Sequence, residues 1–194
     1  MPKIYTDDER ENIRRALRKE AGICLRQYGV RKTTVDELVR RVAIPKGTFY
    51  LFYESKEALF FDLLENFASE IENDYLSMLQ EIDENHIVTS LTEIFLSLTM
   101  RFYDEGLYRF LDGAELSLVL RRLPSGSLPD LRARLEDVIN RLFSYFYIDD
   151  KEDIKAFGAG YEGILYLLLS YDRLREKEKA VRLLIRGLVL QMVE

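Results

Sequence analysis

The chain contains one cysteine, Cys24, and one histidine, His86. A single cysteine cannot form an intrachain disulfide, and two such residues are too few for a cysteine–histidine metal site. A metal site built from carboxylates is left open, but we predict no metal and no other cofactor. Cys24 falls on the apolar stripe of a predicted helix, which favours a packed core thiol over a redox centre.

Proline and glycine are also scarce, with four and ten residues among 194. This scarcity favours long helices over a turn-rich β fold, and we predict an all-α protein. The longest apolar stretches, at 164–169 and 188–190, fall far short of the ~20 residues that a membrane span needs. Because the N-terminal residues do not resemble a signal peptide, the expected location is cytoplasmic.

The charges of the chain are unevenly distributed around a net charge of −6. Residues 1–56 carry 13 Lys/Arg and 8 Asp/Glu, whereas residues 57–194 carry 15 Lys/Arg and 26 Asp/Glu. Such asymmetry is typical of a chain with one polyanion-binding end. Chance variation between small segments is the alternative explanation.

Helix starts are marked by two capping boxes, at Thr6 and Thr34, each with a glutamate three residues later. Gly29 is placed to end the first helix in a left-handed conformation. Pro45 is tolerated only in a first helical turn, so it predicts the start of a short helix over 46–53. Further helices are predicted at 55–79, 87–104, 107–123, 130–147, 154–171 and 176–193, with a loop at 123–129.

Two short helices separated by a tight turn, at 34–53, match the layout of a helix-turn-helix. In that motif the N-terminal residues of the second helix meet base edges in the major groove. Here the first turn of the second helix carries a cation at Lys46, no side chain at Gly47 and a hydroxyl at Thr48. Surrounding cations are placed to neutralise phosphates: Arg31, Lys32, Arg40, Arg41 and Lys56. The alternative is an αα turn with a solvated basic rim.

The stretch 21–59 closely resembles the DNA-binding head of the TetR (tetracycline-repressor-like) regulators. The residues that carry the resemblance are Gly29, 33–38 (TTVDEL), 45–50 (PKGTFY), Phe52, Tyr53 and 55–59 (SKEAL). The chain departs from the family pattern at Ala43, where glycine is usual, and at Tyr53, where phenylalanine is usual.

The resemblance implies an all-α fold with an N-terminal three-helix DNA-binding head, at 1–56, and a C-terminal helical bundle, at 57–194, for ligand binding and dimerisation. It implies that Lys46, Gly47 and Thr48 face the groove, and that Tyr50 and Lys56 bind phosphates. The DNA-binding residues are thus predicted to be Thr33, Thr34, Lys46, Gly47, Thr48, Tyr50 and Lys56. Phe49 and Phe52 are expected to pack in the core.

Helix 154–171 is apolar nearly all round, which predicts burial. Several glycines on it suggest close helix approach, so a symmetric dimer contact with the last helix is expected at Gly160, Gly163, Leu184 and Leu188. Packing within one chain is the alternative. An apolar cavity with a few polar groups is expected among Phe102, Tyr103, Tyr108, Tyr161, Glu162 and Tyr166.

These features together predict a DNA-binding transcriptional regulator, most simply a repressor that a small molecule releases from its operator. The expected partners are double-stranded DNA with a palindromic operator, a second copy of the chain, and an unknown small apolar or amphipathic effector, with no membrane. An activator and a helical protein-binding adaptor without DNA binding are the alternatives. We expect no enzymatic activity, since no acid–base pair has a diagnostic spacing.

Overall fold

The structure is a computed structural model that describes residues 5–124, 126–145 and 151–193. The regular elements of these residues are helical. The α-helices are α1 (Asp7–Lys32), α2 (Val35–Val42), α3 (Lys46–Phe49), α4 (Lys56–Gln80), α5 (Ile87–Asp104), α6 (Ala114–Leu120), α7 (Ser127–Tyr145), α8 (Lys151–Leu167) and α9 (Lys177–Val193). Short 3₁₀ helices occupy Glu84–His86, Leu107–Asp112 and Leu168–Arg173. The prediction of an all-α fold is confirmed for these residues.

The helix starts follow the local sequence signals closely. Thr6 accepts a hydrogen bond from the Glu9 amide, and the Glu9 carboxylate accepts one from the Thr6 amide, so the predicted capping box is confirmed. Gly29 has a positive φ of 84°, as its position predicted. The chain kinks there but turns helically again to Lys32, so Gly29 does not end α1.

The chain divides into two compact units. Unit one holds the residues up to Asn66 together with Glu105–Ser127, and unit two holds Phe67–Asp104 together with the residues from Leu128 onward. The chain therefore leaves unit one within α4, returns for α6, and leaves again. The predicted functional boundary after residue 56 stays a prediction, since compactness alone assigns no function.

The core of unit one forms where α1 meets the segment around α6. Gly22 on α1 lies so close to this segment that a Cβ atom there would sit 2.7 Å from the Glu105 carbonyl oxygen. Gly106, at φ +80°, lies equally close to the Gly22 carbonyl. The side chains buried around this contact and beneath α2 and α3 include Leu17, Leu25, Leu38, Phe49, Leu59 and Leu107.

The core of unit two is built mainly by the packing of α9 against α5 and α8. Phe95 of α5 and Phe157 of α8 are fully buried with their ring centroids 4.9 Å apart. Thr99 and Tyr161 share a hydrogen bond of 2.8 Å across the same two helices. Polar groups are thus paired as they are buried, which avoids the desolvation penalty of an unsatisfied hydroxyl.

Three of the predicted elements need correction. The predicted helix 107–123 is broken at Gly113, whose φ of 75° is left-handed, so a 3₁₀ helix precedes α6. The predicted loop 123–129 is shorter, because α7 begins at Ser127 and accommodates Pro129 in its first turn. Helix α8 is not buried all round, since Glu162, Gly163 and Tyr166 form part of an exposed face.

No helix in the described part of the chain is long and apolar enough to span a membrane. Nor do these residues contain a cluster of histidine, cysteine, aspartate or glutamate that could hold a metal ion.

Cys24 is fully buried on α1, as expected of a core thiol. Burial raises the pKa of its thiol, and the Tyr28 hydroxyl, 3.2 Å from the sulfur, opposes this shift. Because the thiolate is the reactive species, we expect native protein to react with a thiol reagent only as fast as it unfolds. The rate of labelling with dithionitrobenzoate, with and without denaturant, checks this expectation. Rapid and complete labelling of the folded protein would contradict it.

Candidate functional site

Helices α2 and α3 form a helix-turn-helix in unit one. Thr34 caps α2, and its hydroxyl accepts a hydrogen bond of 3.2 Å from the Glu37 amide. Ala43 closes α2 in the left-handed conformation, with φ 57° and ψ 42°. Pro45 precedes the first residue of α3, where its fixed φ suits a helix start. The predicted two-helix layout is confirmed, although α3 ends at Phe49 rather than near residue 53.

The exposed surface of α3 differs sharply from its buried face. Lys46 and Gly47 are exposed, and a Cβ atom at Gly47 would meet no heavy atom within 4 Å. Tyr50, which follows α3, has 52% of its surface exposed. Phe49 is fully buried, as predicted. The start of α3 therefore presents a cation and a bare backbone to the solvent, and Tyr50 presents its phenol hydroxyl just after the helix ends.

Thr33 and Thr48 do not fit the DNA-contacting role implied for them. Thr33 is fully buried and donates a hydrogen bond of 2.8 Å to the Gly29 carbonyl, so it braces the kink of α1. Thr48 is only 7% exposed, and its hydroxyl shares a hydrogen bond of 3.2 Å with Tyr5. A threonine is small enough to be buried once a neighbour satisfies its hydroxyl. The sequence pattern alone does not distinguish these two states.

The two lysines have different surroundings. Lys46 pairs with Asp36 of α2 at 2.9 Å, and this exposed contact raises the pKa of the ammonium. Lys56 donates to the carbonyl oxygens of Val30 and Thr33, at 2.8 and 2.7 Å. These carbonyls lie at the end of α1, where a cation is electrostatically favoured. Lys56 therefore holds the end of α1, and its predicted phosphate contact stays a prediction.

An ionic network attaches α2 to α1. Arg41 donates to Glu37 on its own helix over 2.8 Å and to Glu20 on α1 over 3.3 Å. Tyr28 also donates to Glu37. The hydrogen bonds from Tyr28 and Arg41 lower the pKa of the Glu37 carboxyl. Burial raises the pKa of Tyr28, as do its hydrogen-bonding contacts with Cys24 and Glu37. The Glu37 carboxylate therefore accepts from Tyr28 of α1 and from Arg41, and it does not accept from the Thr34 amide as a complete capping box would require.

Residues near the N-terminus, which the sequence did not single out, pack beside α3. The Tyr5 ring meets Phe52 edge-on at 6.2 Å, and the guanidinium groups of Arg10 and Arg14 lie over the Phe52 ring at 5.2 and 5.6 Å. Phe52 is half-buried, so the prediction of a core position holds only in part. The i, i+4 spacing of Arg10 and Arg14 was the available signal, because it places both cations on one face of α1.

A second candidate site is a cavity of about 340 Å³ within unit two. Its walls come from α4, α5, α7 and α8. The lining is Phe67, Ile71, Met78, Phe95, Leu98, Phe102, Arg132, Leu135, Glu136, Val138, Gly158, Tyr161, Glu162 and Leu165. This volume and composition match the lower end of small-molecule sites, which span roughly 300–1,000 Å³ and are mainly apolar.

The structure places three of the six predicted cavity residues in this lining, namely Phe102, Tyr161 and Glu162. The other three need correction. Tyr103 donates to Asp172 over 2.7 Å and packs against Tyr171, at 4.6 Å between ring centroids. Tyr108 belongs to the other unit, and Tyr166 is exposed. The α7 residues of the lining were missed because an amphipathic helix does not reveal what its apolar face meets.

Of the four predicted dimer residues, two are exposed and two face each other within the chain. A Cβ atom at Gly160 would meet the Leu188 side chain at 2.7 Å, so this glycine permits close packing of α8 on α9. Gly163 and Leu184 are exposed instead. Among the described side chains of unit two, the large apolar ones that are exposed are Tyr166, Leu169, Leu183 and Leu184.

Residues 17–63 match the family profile described as bacterial regulatory proteins, tetR family. The match spans the end of α1, the whole helix-turn-helix and the start of α4. This segment is a DNA-binding domain of the TetR type. No curated protein sequence matches the chain significantly.

Solved TetR-family structures show that the fold likeness extends over almost the whole chain. A regulator from Streptomyces coelicolor is 17% identical, with a TM-score of 0.67 over 92% of this chain and 97% of that one. A TetR/AcrR regulator from Thermobifida fusca is 18% identical, with a TM-score of 0.61 over 94% and 97%. The fatty acid degradation regulator FadR from Bacillus halodurans is 13% identical, with a TM-score of 0.65 over 96% and 97%.

Against the TetR pattern, Ala43 is the departure with a measurable cost. A left-handed conformation costs an L-residue about 1–2 kcal/mol, whereas glycine adopts it freely. Glycine also gains entropy in the unfolded chain, which offsets part of the benefit. We expect Ala43→Gly to increase the free energy of unfolding by about 0.5–1 kcal/mol.

Chemical denaturation of the two proteins measures this difference. Ala16→Gly, in the middle of α1, is the matched control. It should decrease the free energy of unfolding by about 1 kcal/mol, because its backbone is helical. Equal losses in the two variants would contradict the left-handed turn at Ala43.

Proposed function

We propose that this chain is a TetR-family transcriptional regulator, and that it is a homodimeric repressor that leaves its operator when a small apolar or amphipathic molecule occupies the cavity of unit two. The DNA-binding part of the proposal depends chiefly on the exposed start of α3. Lys46 supplies a cation, Gly47 allows close approach of the backbone, and Tyr50 supplies a hydroxyl for a phosphate. In a helix-turn-helix these are the positions that approach the major groove. We assign Thr34 to the same surface, because it is exposed at the cap of α2.

The homodimer part of the proposal is supported by the exposed apolar face of α8 and α9. Leu183 is 70% exposed and lies next to Leu184, while Gly163 of α8 is open to close approach. A contiguous exposed apolar patch marks an interaction site, and we assign Gly163, Leu183 and Leu184 to such a patch. A symmetric dimer would pair two heads, which matches half-sites about one DNA turn apart.

Dimerisation is tested by sedimentation velocity of a Leu184→Asp variant. Burying a charge without a partner is strongly unfavourable, so we expect the variant to sediment as a monomer where the parent is a dimer. Leu51→Asp is the matched control, because Leu51 is also exposed but belongs to unit one. It should remain dimeric. A dimeric Leu184→Asp protein would contradict the assigned interface.

The effector part of the proposal is supported by the cavity and by the path of α4. Phe67, Ile71 and Met78 of α4 line the cavity, while Lys56 in the first turn of the same helix binds the end of α1. A ligand that binds the released form more tightly shifts the population away from the DNA-bound form. A ligand with equal affinity for both forms would shift nothing.

The experiment is a selection of bound sequences from random double-stranded DNA, followed by anisotropy titrations of the selected site with and without candidate ligands. A palindromic site, and a loss of affinity in the presence of a ligand that binds the cavity, are the expected results. A cavity ligand that leaves the operator affinity unchanged would overturn the release mechanism. A reporter gene behind the same site distinguishes the activator alternative, since an activator would raise its transcription.

A further inference from the structure

The cavity of unit two has an aromatic wall. Phe67 and Phe102 meet edge-on with their ring centroids 5.5 Å apart. Phe95 and Tyr161 meet in the same way at 5.1 Å. Four aromatic rings therefore contribute to one lining. The faces of aromatic rings carry partial negative charge, and rings arranged in this way bind quaternary ammonium groups in many proteins.

The hydroxyl of Tyr161 does not provide a polar anchor for a ligand. It shares a hydrogen bond of 2.8 Å with Thr99 and contacts the Phe95 carbonyl at 3.3 Å. Burial raises the pKa of Tyr161 to about 12, so the phenol carries no negative charge at neutral pH. The chargeable groups of the lining are thus Arg132, Glu136 and Glu162.

Carboxylates outnumber cations in this lining. Glu136 lies on α7 and Glu162 on α8, and within the described residues neither carboxylate forms an ion pair. Arg132 is the single cation of the lining. Two carboxylates would attract a monovalent cation in the cavity and one guanidinium would repel it, whereas an anion would be repelled by the two carboxylates and attracted by the guanidinium.

The charge of unit two favours a cation in the same sense. Residues 67–104 and 128–194 carry 12 Lys/Arg and 20 Asp/Glu, for a net charge of −8. A cleft with apolar walls focuses the field of such a charge distribution and raises the local concentration of oppositely charged ligands. The cavity lining and unit two as a whole therefore both carry a net negative charge.

From this geometry we infer that the cavity selects lipophilic cations, in particular a quaternary ammonium group attached to an apolar chain or ring. The inference rests on the proposed effector cavity and names the chemical class that it accepts. The apolar part of the ligand would lie among the phenylalanine and leucine side chains, with Glu136 and Glu162 facing its positive end. The positive charge of Arg132 repels such a ligand and so reduces the preference of the cavity for cations over anions.

Isothermal titration with three probes of equal chain length, decyltrimethylammonium, decanoate and decanol, below their aggregation concentrations, tests the inference. We expect the cation to bind roughly tenfold or more tightly than decanoate, with decanol between them. Glu136→Gln and Glu162→Gln should each weaken binding of the cation roughly three- to tenfold and leave decanol unchanged. Arg132→Gln should change the affinity for the cation in the opposite direction.

Glu178→Gln is the matched control, because it removes the same charge from unit two at an exposed position outside the lining. It should leave all three affinities unchanged. Equal binding of the three probes, or cation binding that is indifferent to Glu136→Gln and Glu162→Gln, would overturn the charge preference while leaving the effector cavity in place. Failure of all three probes to bind would overturn the cavity as a ligand site, and operator binding, measured separately, would still stand.

Discussion

Replacing Gly22 by alanine is expected to decrease the free energy of unfolding by about 1–3 kcal/mol, the usual cost of overpacking a core. In a helix interior the same change normally stabilises by roughly 1 kcal/mol, because glycine is the poorer helix former. The sign reverses here because the new Cβ atom would lie 2.7 Å from the Glu105 carbonyl oxygen. That oxygen belongs to the backbone and has no rotamer with which to move away.

Gly158→Ala is the matched control for this prediction. Gly158 lies in α8, and a Cβ atom there would meet no heavy atom within 4 Å. Its replacement should therefore increase the free energy of unfolding by up to about 1 kcal/mol. Urea denaturation followed by circular dichroism measures both changes. A stabilising effect of Gly22→Ala similar to that of Gly158→Ala would show that α1 and the Glu105 segment do not pack as described.

Removing the carboxylate of Asp62 is expected to cause the second large effect. Asp62 of α4 accepts hydrogen bonds from Arg18 Nε at 2.7 Å and from the Tyr53 hydroxyl at 2.6 Å. Burial and the hydrogen bond to Asp62 both raise the pKa of Tyr53. The pKa of Arg18 is also raised, because the contact with Asp62 outweighs the opposing effect of burial. Because Tyr53 follows α3, this carboxylate joins the end of the helix-turn-helix to α1 and α4.

Asp62→Ala leaves a half-buried guanidinium and a buried hydroxyl without this acceptor. We expect the free energy of unfolding to fall by about 2–3 kcal/mol, below the range for fully buried pairs because the site is partly solvated. Glu152→Ala removes one partner of the exposed Lys155–Glu152 pair and should cost less than about 0.5 kcal/mol. Thermal denaturation of the two variants makes the comparison, and equal losses would contradict the buried network.

The elements that the sequence predicted well are those with local signals. The capping box at Thr6, the cap at Thr34 and the start of α3 after Pro45 each depend on residues within one turn of the chain. Both partners of such a cap hydrogen bond lie within one turn of the chain, so the local sequence specifies it. The second half of the predicted capping box at Thr34 is missing because Tyr28 and Arg41 engage Glu37. Helix α5 has the predicted bounds for a similar reason, since its apolar positions recur regularly along a single helix.

The errors arose where distant residues decide the outcome. Thr33 was assigned to DNA from the motif, yet it is fully buried at the kink of α1. Gly160 was assigned to a dimer contact, but Leu188 of the same chain fills the space beside it. In each case the pattern identified the residue correctly as a close-contact position and did not identify its partner.

The cavity lining likewise depends on residues that are distant in sequence. Phe102, Tyr161 and Glu162 were predicted from an aromatic-rich segment, but Arg132 and Glu136 were not. These α7 residues have ordinary exposed positions on an amphipathic helix, and only the packing of α7 beside α8 brings them to the lining. Periodicity predicts which face of a helix is polar and carries no information about what that face borders.

The exposed residues of α3 and the adjoining Tyr50 are expected to bind DNA, and anisotropy across a salt series on the selected operator measures this binding. Parent, Lys46→Ala, Tyr50→Phe and Lys179→Ala proteins would be compared, the last because it removes an exposed lysine from unit two. We expect tight binding with a steep salt dependence, a roughly tenfold loss for Lys46→Ala with a shallower slope, a smaller loss for Tyr50→Phe, and no change for Lys179→Ala. Binding that is unaffected by both α3 substitutions, or weakened equally by Lys179→Ala, would contradict this expectation.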